Sequence, residues 1–274
     1  MNPYLIILIL SIVEGLTEFL PISSTGHMIL VDKFINNTYF SKAFMDNFYV
    51  VVQLGAILAV VICFWGSITP FVKSKEEFLK RFKLWLKLGV ALIPAVLIGL
   101  KFEDIISSYF MDNVVIIAST LIFYGIIFIL IEKYLKNSAV PAKVTSTEKI
   151  SFLSAFAIGA FQCLAMIPGT SRSGATIIGG LLLGLSRGVA AEFSFLLAIP
   201  TMFGATALKL WKNGLSFSTH EWIFLGLGTF VSFIVAYIAI KWFMGYIKKK
   251  DFIPFGIYRI ILGIVVLLFV YLKK

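Results

Sequence analysis

Six apolar runs of nearly membrane-spanning length constrain this sequence more than any other feature. They cover residues 48–66, 84–100, 113–131, 192–210, 223–240 and 254–272. A helix needs about 20 apolar residues to cross the bilayer hydrocarbon. Hydrophobic residues make up 59% of the chain and charged residues only 14%, against about 45–50% and about 25% in soluble domains. We therefore predict an all-α integral membrane protein.

Two further apolar runs are too short to cross the bilayer. Residues 5–20 and 152–167 would each reach about 24 Å as a helix. A polar break follows each run, and a second short apolar run follows each break, at 28–35 and 175–185. This pattern is typical of a re-entrant hairpin, whose irregular backbone is tolerated where protein surrounds it. The prediction is six full transmembrane helices plus two re-entrant helix hairpins.

The distribution of basic residues predicts the orientation. Most of the 24 Lys and Arg residues lie in or beside four short segments: 67–83, 132–150, 186–188 and 241–253. Basic loops remain on the cytoplasmic side of a membrane, which places both termini outside if each hairpin enters and leaves on one side.

The same orientation divides the single transmembrane domain, residues 1–274, into two halves of opposite topology. The halves are residues 1–131 and 150–272, and together they form an inverted-topology repeat. Inverted repeats with broken helices place their site near the bilayer midplane, where the two breaks meet.

The net charge of +10 follows from this loop pattern. Because no soluble basic domain is present, we expect no nucleic acid as a partner. Cys63 and Cys163 lie inside apolar runs and are predicted to be packing residues. Membrane lipids are expected partners, and a homodimer is one candidate assembly.

Two carboxylates precede the first break. Glu14 and Glu18 lie four residues apart, on one helix face. Adjacent carboxylates repel each other unless a cation or a shared proton relieves them. The pair therefore suits a divalent metal, a general base beside its partner, or a proton relay. A pair of solvated acids at a helix end is the alternative, which their position inside an apolar run disfavours.

The first break itself predicts an anion site. Ser23, Ser24, Thr25, Gly26 and His27 stand at the head of a new helix. A helix start favours anions because its N–H groups and dipole point toward them. A plain Ser/Thr cap is the alternative. The imidazole favours the anion site, since the chain has only two histidines.

The second break repeats this arrangement and adds a cation. It contains Thr170, Ser171, Arg172, Ser173 and Gly174. An arginine offers a planar fork of donors that suits phosphate or carboxylate, and it stays charged when buried. An internal salt bridge to one of the two carboxylates is the alternative, and both contacts can hold in different ligand states.

Other polar residues in or near the spans receive structural interpretations. Gln53, Gln162 and Glu192 are expected to form hydrogen bonds between packed helices. Arg259 stands near a span start and is predicted to snorkel to the interface. His220 is expected at the surface.

These features together describe an anion site with hydrolytic groups inside the bilayer. A lipid phosphate or diphosphate ester fits, since its head group can reach the site while its chain stays in lipid. Metal-bridged phosphate oxygens and an arginine would supply the electrostatics of phosphoryl transfer. A transporter or flippase for a lipid phosphate or organic anion would share these marks. A proton-coupled channel built on the carboxylates is a third alternative.

The two breaks also carry a family resemblance. Residues 14–27 (EGLTEFLPISSTGH) and 168–176 (PGTSRSGAT) resemble the hallmark motifs of the undecaprenyl-diphosphate phosphatases, also called bacitracin-resistance proteins. The resemblance extends to residues 192–195 and 253–255. It implies hydrolysis of undecaprenyl diphosphate to undecaprenyl phosphate, the carrier lipid of cell-wall synthesis. It also implies a site facing the outer side of the bacterial plasma membrane and use of Mg²⁺ or Ca²⁺.

By this resemblance the working residues are Glu14, Glu18, Ser24, His27 and Arg172. Our interpretation makes Ser24 the nucleophile, with His27 or Glu18 moving the proton. Glu14 and Glu18 would help hold the metal, and Arg172 would clamp the phosphate. Hydrolysis by metal-activated water and His27 as nucleophile stay open. The other motif residues are predicted to bind substrate: Ser23, Thr25, Gly26, Thr170, Ser171, Ser173 and Gly174.

Overall fold

The structure, a computed structural model, describes five stretches of the chain: residues 1–35, 39–110, 113–137, 142–214 and 217–272. Within them the backbone is helical, and the described residues form no β-sheet. The helices are α1 (Pro3–Thr17), α2 (Ser24–Ile35), α3 (Lys42–Cys63), α4 (Trp65–Ile68), α5 (Lys75–Phe110), α6 (Val114–Asn137), α7 (Phe152–Gln162), α8 (Arg172–Leu182), α9 (Arg187–Asn213), α10 (Thr219–Ile247) and α11 (Ile253–Leu272).

Six of these helices are long and apolar enough to cross a membrane: α3, the Lys75–Gly99 part of α5, α6, the Arg187–Lys212 part of α9, α10 and α11. Within the described residues this confirms the prediction of an all-helical, multi-pass membrane protein with six helices of spanning length. The helices are longer than the apolar runs. Hydropathy identifies only the residues that lie in hydrocarbon. A helix continues past the membrane interface as long as its backbone N–H and C=O groups can form helical hydrogen bonds.

Two short apolar helices lie outside this set. Helix α1 has 15 residues and α7 has 11, both fewer than a span needs. Each ends earlier than its apolar run. The chain turns after Thr17, and after Gln162 it tightens into a 3₁₀ turn over Cys163–Met166. Each is followed by a break and a second short helix, α2 or α8, which is the predicted order of elements.

The short helices pack closely against long helices from the other half of the chain. Helix α1 lies on α10, where a Cβ on Gly15 would come within 2.6 Å of the Ser232 carbonyl oxygen. Helix α7 lies on α5, where a Cβ on Gly159 would come within 2.0 Å of the Ala91 carbonyl oxygen. Small residues let helix backbones approach this closely in membranes. The two halves are interlocked by these crossings.

Ion pairs join α6 to α9 and to the start of α11. Glu132 is fully buried and accepts hydrogen bonds from Arg187 Nε at 2.9 Å, from Arg187 Nη2, and from the Phe252 N–H. Lys136 pairs with Asp251 at 2.6 Å. Partial burial raises the pKa of Asp251, but its bonds to the Lys136 ammonium and the Ile253 N–H, together with the charges of Lys136 and Arg187, outweigh burial and lower this pKa. These residues lie in segments predicted to be cytoplasmic.

Candidate active site

The two breaks share one local structure. Ser23 and Ser171 directly precede α2 and α8, and both adopt left-handed φ angles, 72° and 74°. The Oγ of each accepts a hydrogen bond from the backbone N–H three residues later, of Gly26 at 3.3 Å and of Gly174 at 3.1 Å. A side chain at positive φ costs about 1–3 kcal/mol, and such strain is concentrated at functional sites.

A cavity of about 170 Å³ lies between the breaks. It is lined by Glu18, Ser23, Ser24, Thr25, Gln53, Ala165, Pro168, Gly169, Ser171, Arg172 and Met202. Most of these residues come from the two motifs, which are far apart in the chain. The fold therefore brings the carboxylate and hydroxyls of the first break to the arginine of the second.

Three side chains follow one another along this cavity. Ser24 Oγ donates a hydrogen bond to Glu18 Oε2 at 2.5 Å. The other oxygen of Glu18 lies 3.5 Å from Arg172 Nη2. Arg172 Nη1 donates to the Ser194 carbonyl oxygen of α9 at 2.9 Å, and its buried Nε has no partner among the described residues. The Ser24 hydroxyl, paired with a carboxylate, can attack a phosphate, and the arginine that lines the same cavity can bind that phosphate.

His27 lies apart from the contacts that connect Ser24, Glu18 and Arg172. Its Nδ1 lies 2.7 Å from the Ser23 carbonyl oxygen, and its Nε2 lies 2.6 Å from the Tyr258 hydroxyl. Because a carbonyl oxygen only accepts, Nδ1 carries the proton, and in a neutral ring Nε2 accepts from Tyr258. His27 does not line the cavity. The geometry favours Glu18 over His27 as the group that takes a proton from Ser24.

Glu14 lies one turn before Glu18 in α1. It is 2% exposed and does not line the cavity. Its Oε1 has no hydrogen-bond partner among the described residues. A buried carboxylate oxygen without a partner is costly, so this position suits a cation or a proton.

The structure separates the residues predicted to bind substrate into two groups. Three line the cavity: Ser23, Thr25 and Ser171. Four do not: Gly26, Thr170, Ser173 and Gly174. Ser173 is fully buried and donates to the Leu20 carbonyl oxygen at 3.1 Å, which joins the second break to the first.

Comparison with known proteins agrees with this geometry. The chain matches the family model "Bacitracin resistance protein BacA" over residues 7–265. This chain belongs to the BacA family. The undecaprenyl-diphosphatase of Fusobacterium nucleatum is 62% identical over 97% of this chain and 100% of the relative. Undecaprenyl-diphosphatase 1 of Clostridioides difficile is 53% identical over 96% of this chain and 95% of the relative. The resemblance inferred from the two motifs is confirmed.

The carboxylates of this BacA-family chain fit a hard divalent cation in part. Oxygen ligands are those that Mg²⁺ and Ca²⁺ take, and Glu14 contributes a buried oxygen without a partner. Among the described residues, however, no group of three or more His, Cys, Asp or Glu could hold a metal ion. Glu14 and Glu18 are the two carboxylates that the described part of the first break offers, and substrate or water would supply the other ligands.

Sequence reasoning missed two residues of the BacA-family site. Gln53, expected to join packed helices, instead lines the cavity from α3. The prediction that Arg259 snorkels is wrong. Arg259 is completely buried and donates hydrogen bonds to the carbonyl oxygens of Pro21 and Gly169. A polar residue inside a span was the available signal in both cases, but its direction was not readable from the chain.

Proposed function

We propose that this chain is an undecaprenyl-diphosphatase, which hydrolyses undecaprenyl diphosphate to undecaprenyl phosphate and inorganic phosphate. The reaction recycles the lipid carrier of cell-wall synthesis. The observation that carries the proposal is the Ser24–Glu18 hydrogen bond at 2.5 Å, in a cavity that Arg172 also lines. Relatives that cover nearly the whole chain carry this name. No comparison supports the transporter alternative.

In the proposed mechanism Ser24 Oγ attacks the terminal phosphorus while Glu18 accepts the hydroxyl proton. The new bond is Oγ–P, and the bond from phosphorus to the bridging oxygen breaks. Undecaprenyl phosphate leaves with the electron pair of that bond. Arg172 binds the non-bridging oxygens and stabilises their charge in the transition state. Glu18 passes its proton to the departing undecaprenyl phosphate and is again a carboxylate. Water then attacks the phosphoserine: Glu18 accepts a proton from the water and returns it to Ser24 Oγ as the Oγ–P bond breaks and inorganic phosphate leaves.

Glu14 and Glu18 are the residues that would hold a divalent cation, Mg²⁺ or Ca²⁺. When bound, such a cation neutralises charge on the phosphate oxygens. One or two protein carboxylates, completed by substrate phosphates and water, is the usual arrangement for Mg²⁺. The unpartnered Oε1 of Glu14 supports this assignment.

The membrane arrangement is also part of the proposal. We infer that the breaks are the tips of two re-entrant hairpins in an inverted repeat, with both termini outside the bacterial plasma membrane. The matching φ angles of Ser23 and Ser171 and their matching caps support the repeat. Cysteine labelling from each side tests the orientation. The homodimer stays a prediction, which light scattering in detergent measures.

The function is tested by phosphate release from a long polyprenyl diphosphate, using purified protein in detergent where no gradient exists. We expect turnover that is lost with a chelator and with Ser24→Ala, and weaker turnover of soluble diphosphates. Ser74→Ala, at an exposed serine away from the cavity, is the matched control. A pure transporter would release no phosphate. Full activity of Ser24→Ala would show that Ser24 is not the nucleophile and would leave direct attack by water as the mechanism.

A further inference from the structure

Arg259 is a completely buried cation placed between the two breaks. It lies in α11, and every hydrogen bond described for its guanidinium goes to a backbone carbonyl. Nη1 donates to Pro21 at 3.1 Å and Nη2 to Gly169 at 2.8 Å, while Nε lies 3.5 Å from the Leu121 oxygen. A charged side chain at membrane depth is expensive and therefore a functional candidate.

The two carbonyls that Arg259 joins hold corresponding positions. Pro21 stands two residues before Ser23, and Gly169 stands two residues before Ser171. Helix breaks leave carbonyl oxygens without helical partners, which must be paired inside a membrane. The guanidinium of Arg259 donates a hydrogen bond to the carbonyl oxygen at the same position in each break. This links the backbone that leads to Ser24 with the backbone that leads to Arg172.

The preceding residue of α11 reaches the same region. The Tyr258 hydroxyl lies 2.6 Å from His27 Nε2. His27 Nδ1 is in turn bonded to the Ser23 carbonyl oxygen. Two consecutive residues of α11 therefore hold the start of α2 and both breaks, although neither residue lines the cavity.

We propose that Arg259 is a positioning residue, whose guanidinium fork sets the spacing of the two breaks and so places Ser24 and Arg172 on one cavity. The inference rests on the proposed diphosphatase function. A lysine keeps the charge but offers no planar fork, so it cannot bridge both carbonyls in the same way. Misplacing reacting groups by about 1 Å costs about 100-fold in rate.

The test uses Arg259→Lys, with steady-state phosphate release, thermal stability and one distance as readouts. We expect kcat to fall about 100-fold, with KM changed less than about threefold because the groups that touch substrate are intact. Spin labels at Leu16 and Leu164, both exposed and each five residues before a bonded carbonyl, report the spacing of the breaks. Cys63 and Cys163 are replaced by Ala for labelling. The label distance should broaden or shift.

The matched control is Arg187→Lys, the same change at an arginine that does not line the active-site cavity and that pairs with Glu132; it should keep the wild-type kcat and label distance. An unchanged label distance in Arg259→Lys overturns the proposal, whatever the activity. Loss of folding in both Arg259→Lys and Arg259→Gln would assign Arg259 to the fold alone and also overturn it. A wild-type protein without phosphatase activity would instead refute the proposed function, while the label distances still decide the positioning role.

Discussion

Ser24 Oγ and Glu18 Oε2 lie 2.5 Å apart although they belong to different helices. Glu18 caps the end of α1, Ser24 opens α2, and the intervening turn folds the hydroxyl back onto the carboxylate. A bond to a charged acceptor is shorter and stronger than a neutral one. The pairing also presents the hydroxyl proton to a base before any substrate arrives.

Glu18→Gln removes this base and keeps its shape. Because general-base catalysis contributes about 10²–10⁴-fold, we expect kcat to fall by that factor with little change in KM. Phosphate release at saturating substrate measures it. Glu148→Gln, at an exposed carboxylate in a short 3₁₀ turn, serves as control. A wild-type kcat in Glu18→Gln would show that Glu18 is not the group that accepts the proton from Ser24.

Arg172→Lys tests the phosphate clamp. The lysine keeps the charge but loses the planar fork that binds Glu18 and the Ser194 carbonyl oxygen together. Removing one preorganised donor to a transition state costs about 10²–10³-fold in kcat, and we expect a loss in this range. Arg81→Lys, whose arginine binds the Thr69 carbonyl oxygen, should retain activity. Equal kinetics in the two variants would argue against the clamp.

Removal of divalent cations should abolish turnover reversibly. Phosphate release is measured after chelation and after titration with Mg²⁺ or Ca²⁺. Glu14→Gln should raise the cation concentration for half-maximal activity at least about tenfold, since even residues behind the metal ligands change affinity by that factor. Full activity in excess chelator would contradict the assignment of Glu14 and Glu18.

Arg187→Ala should destabilise the fold because it leaves the buried Glu132 carboxylate without its cation. Breaking a buried pair costs about 3–5 kcal/mol, and the 33% exposure of the Arg187 side chain puts the loss at the lower end. The double variant Glu132→Gln/Arg187→Ala should recover part of it. Unfolding titrations in detergent measure both. An Arg187→Ala protein as stable as wild type would show that water replaces the arginine.

Gly159→Ala should also destabilise the fold, because its Cβ would press on the Ala91 carbonyl at the α5–α7 crossing. Overpacking typically costs about 1–3 kcal/mol. Gly89→Ala is the matched control on α5, where a Cβ meets nothing within 4 Å. Thermal unfolding of the two variants should therefore differ. Equal melting temperatures would show that the crossing can relax.

Much of the fold was predictable because its signals are local. Hydropathy located all six spans, since the solvation of a segment depends mainly on its own side chains. The ends of α1 and α7 were less accurate. Turn and 3₁₀ geometry near Pro21 and Pro168 shortens both helices while the residues remain apolar.

By itself the sequence determined the membrane class, the six spans, the two breaks and the polar residues they carry. Only the tertiary structure decided three contacts: Gln53 lines the cavity, the Tyr258 hydroxyl is hydrogen-bonded to His27, and Arg259 joins the carbonyls of Pro21 and Gly169. The physical reason is the distance along the chain over which each interaction acts. Transfer into lipid and helix capping depend on a few neighbouring residues, whereas a buried arginine binds whichever carbonyl oxygens the packed helices leave without a partner. Those carbonyls come from segments far away in the chain.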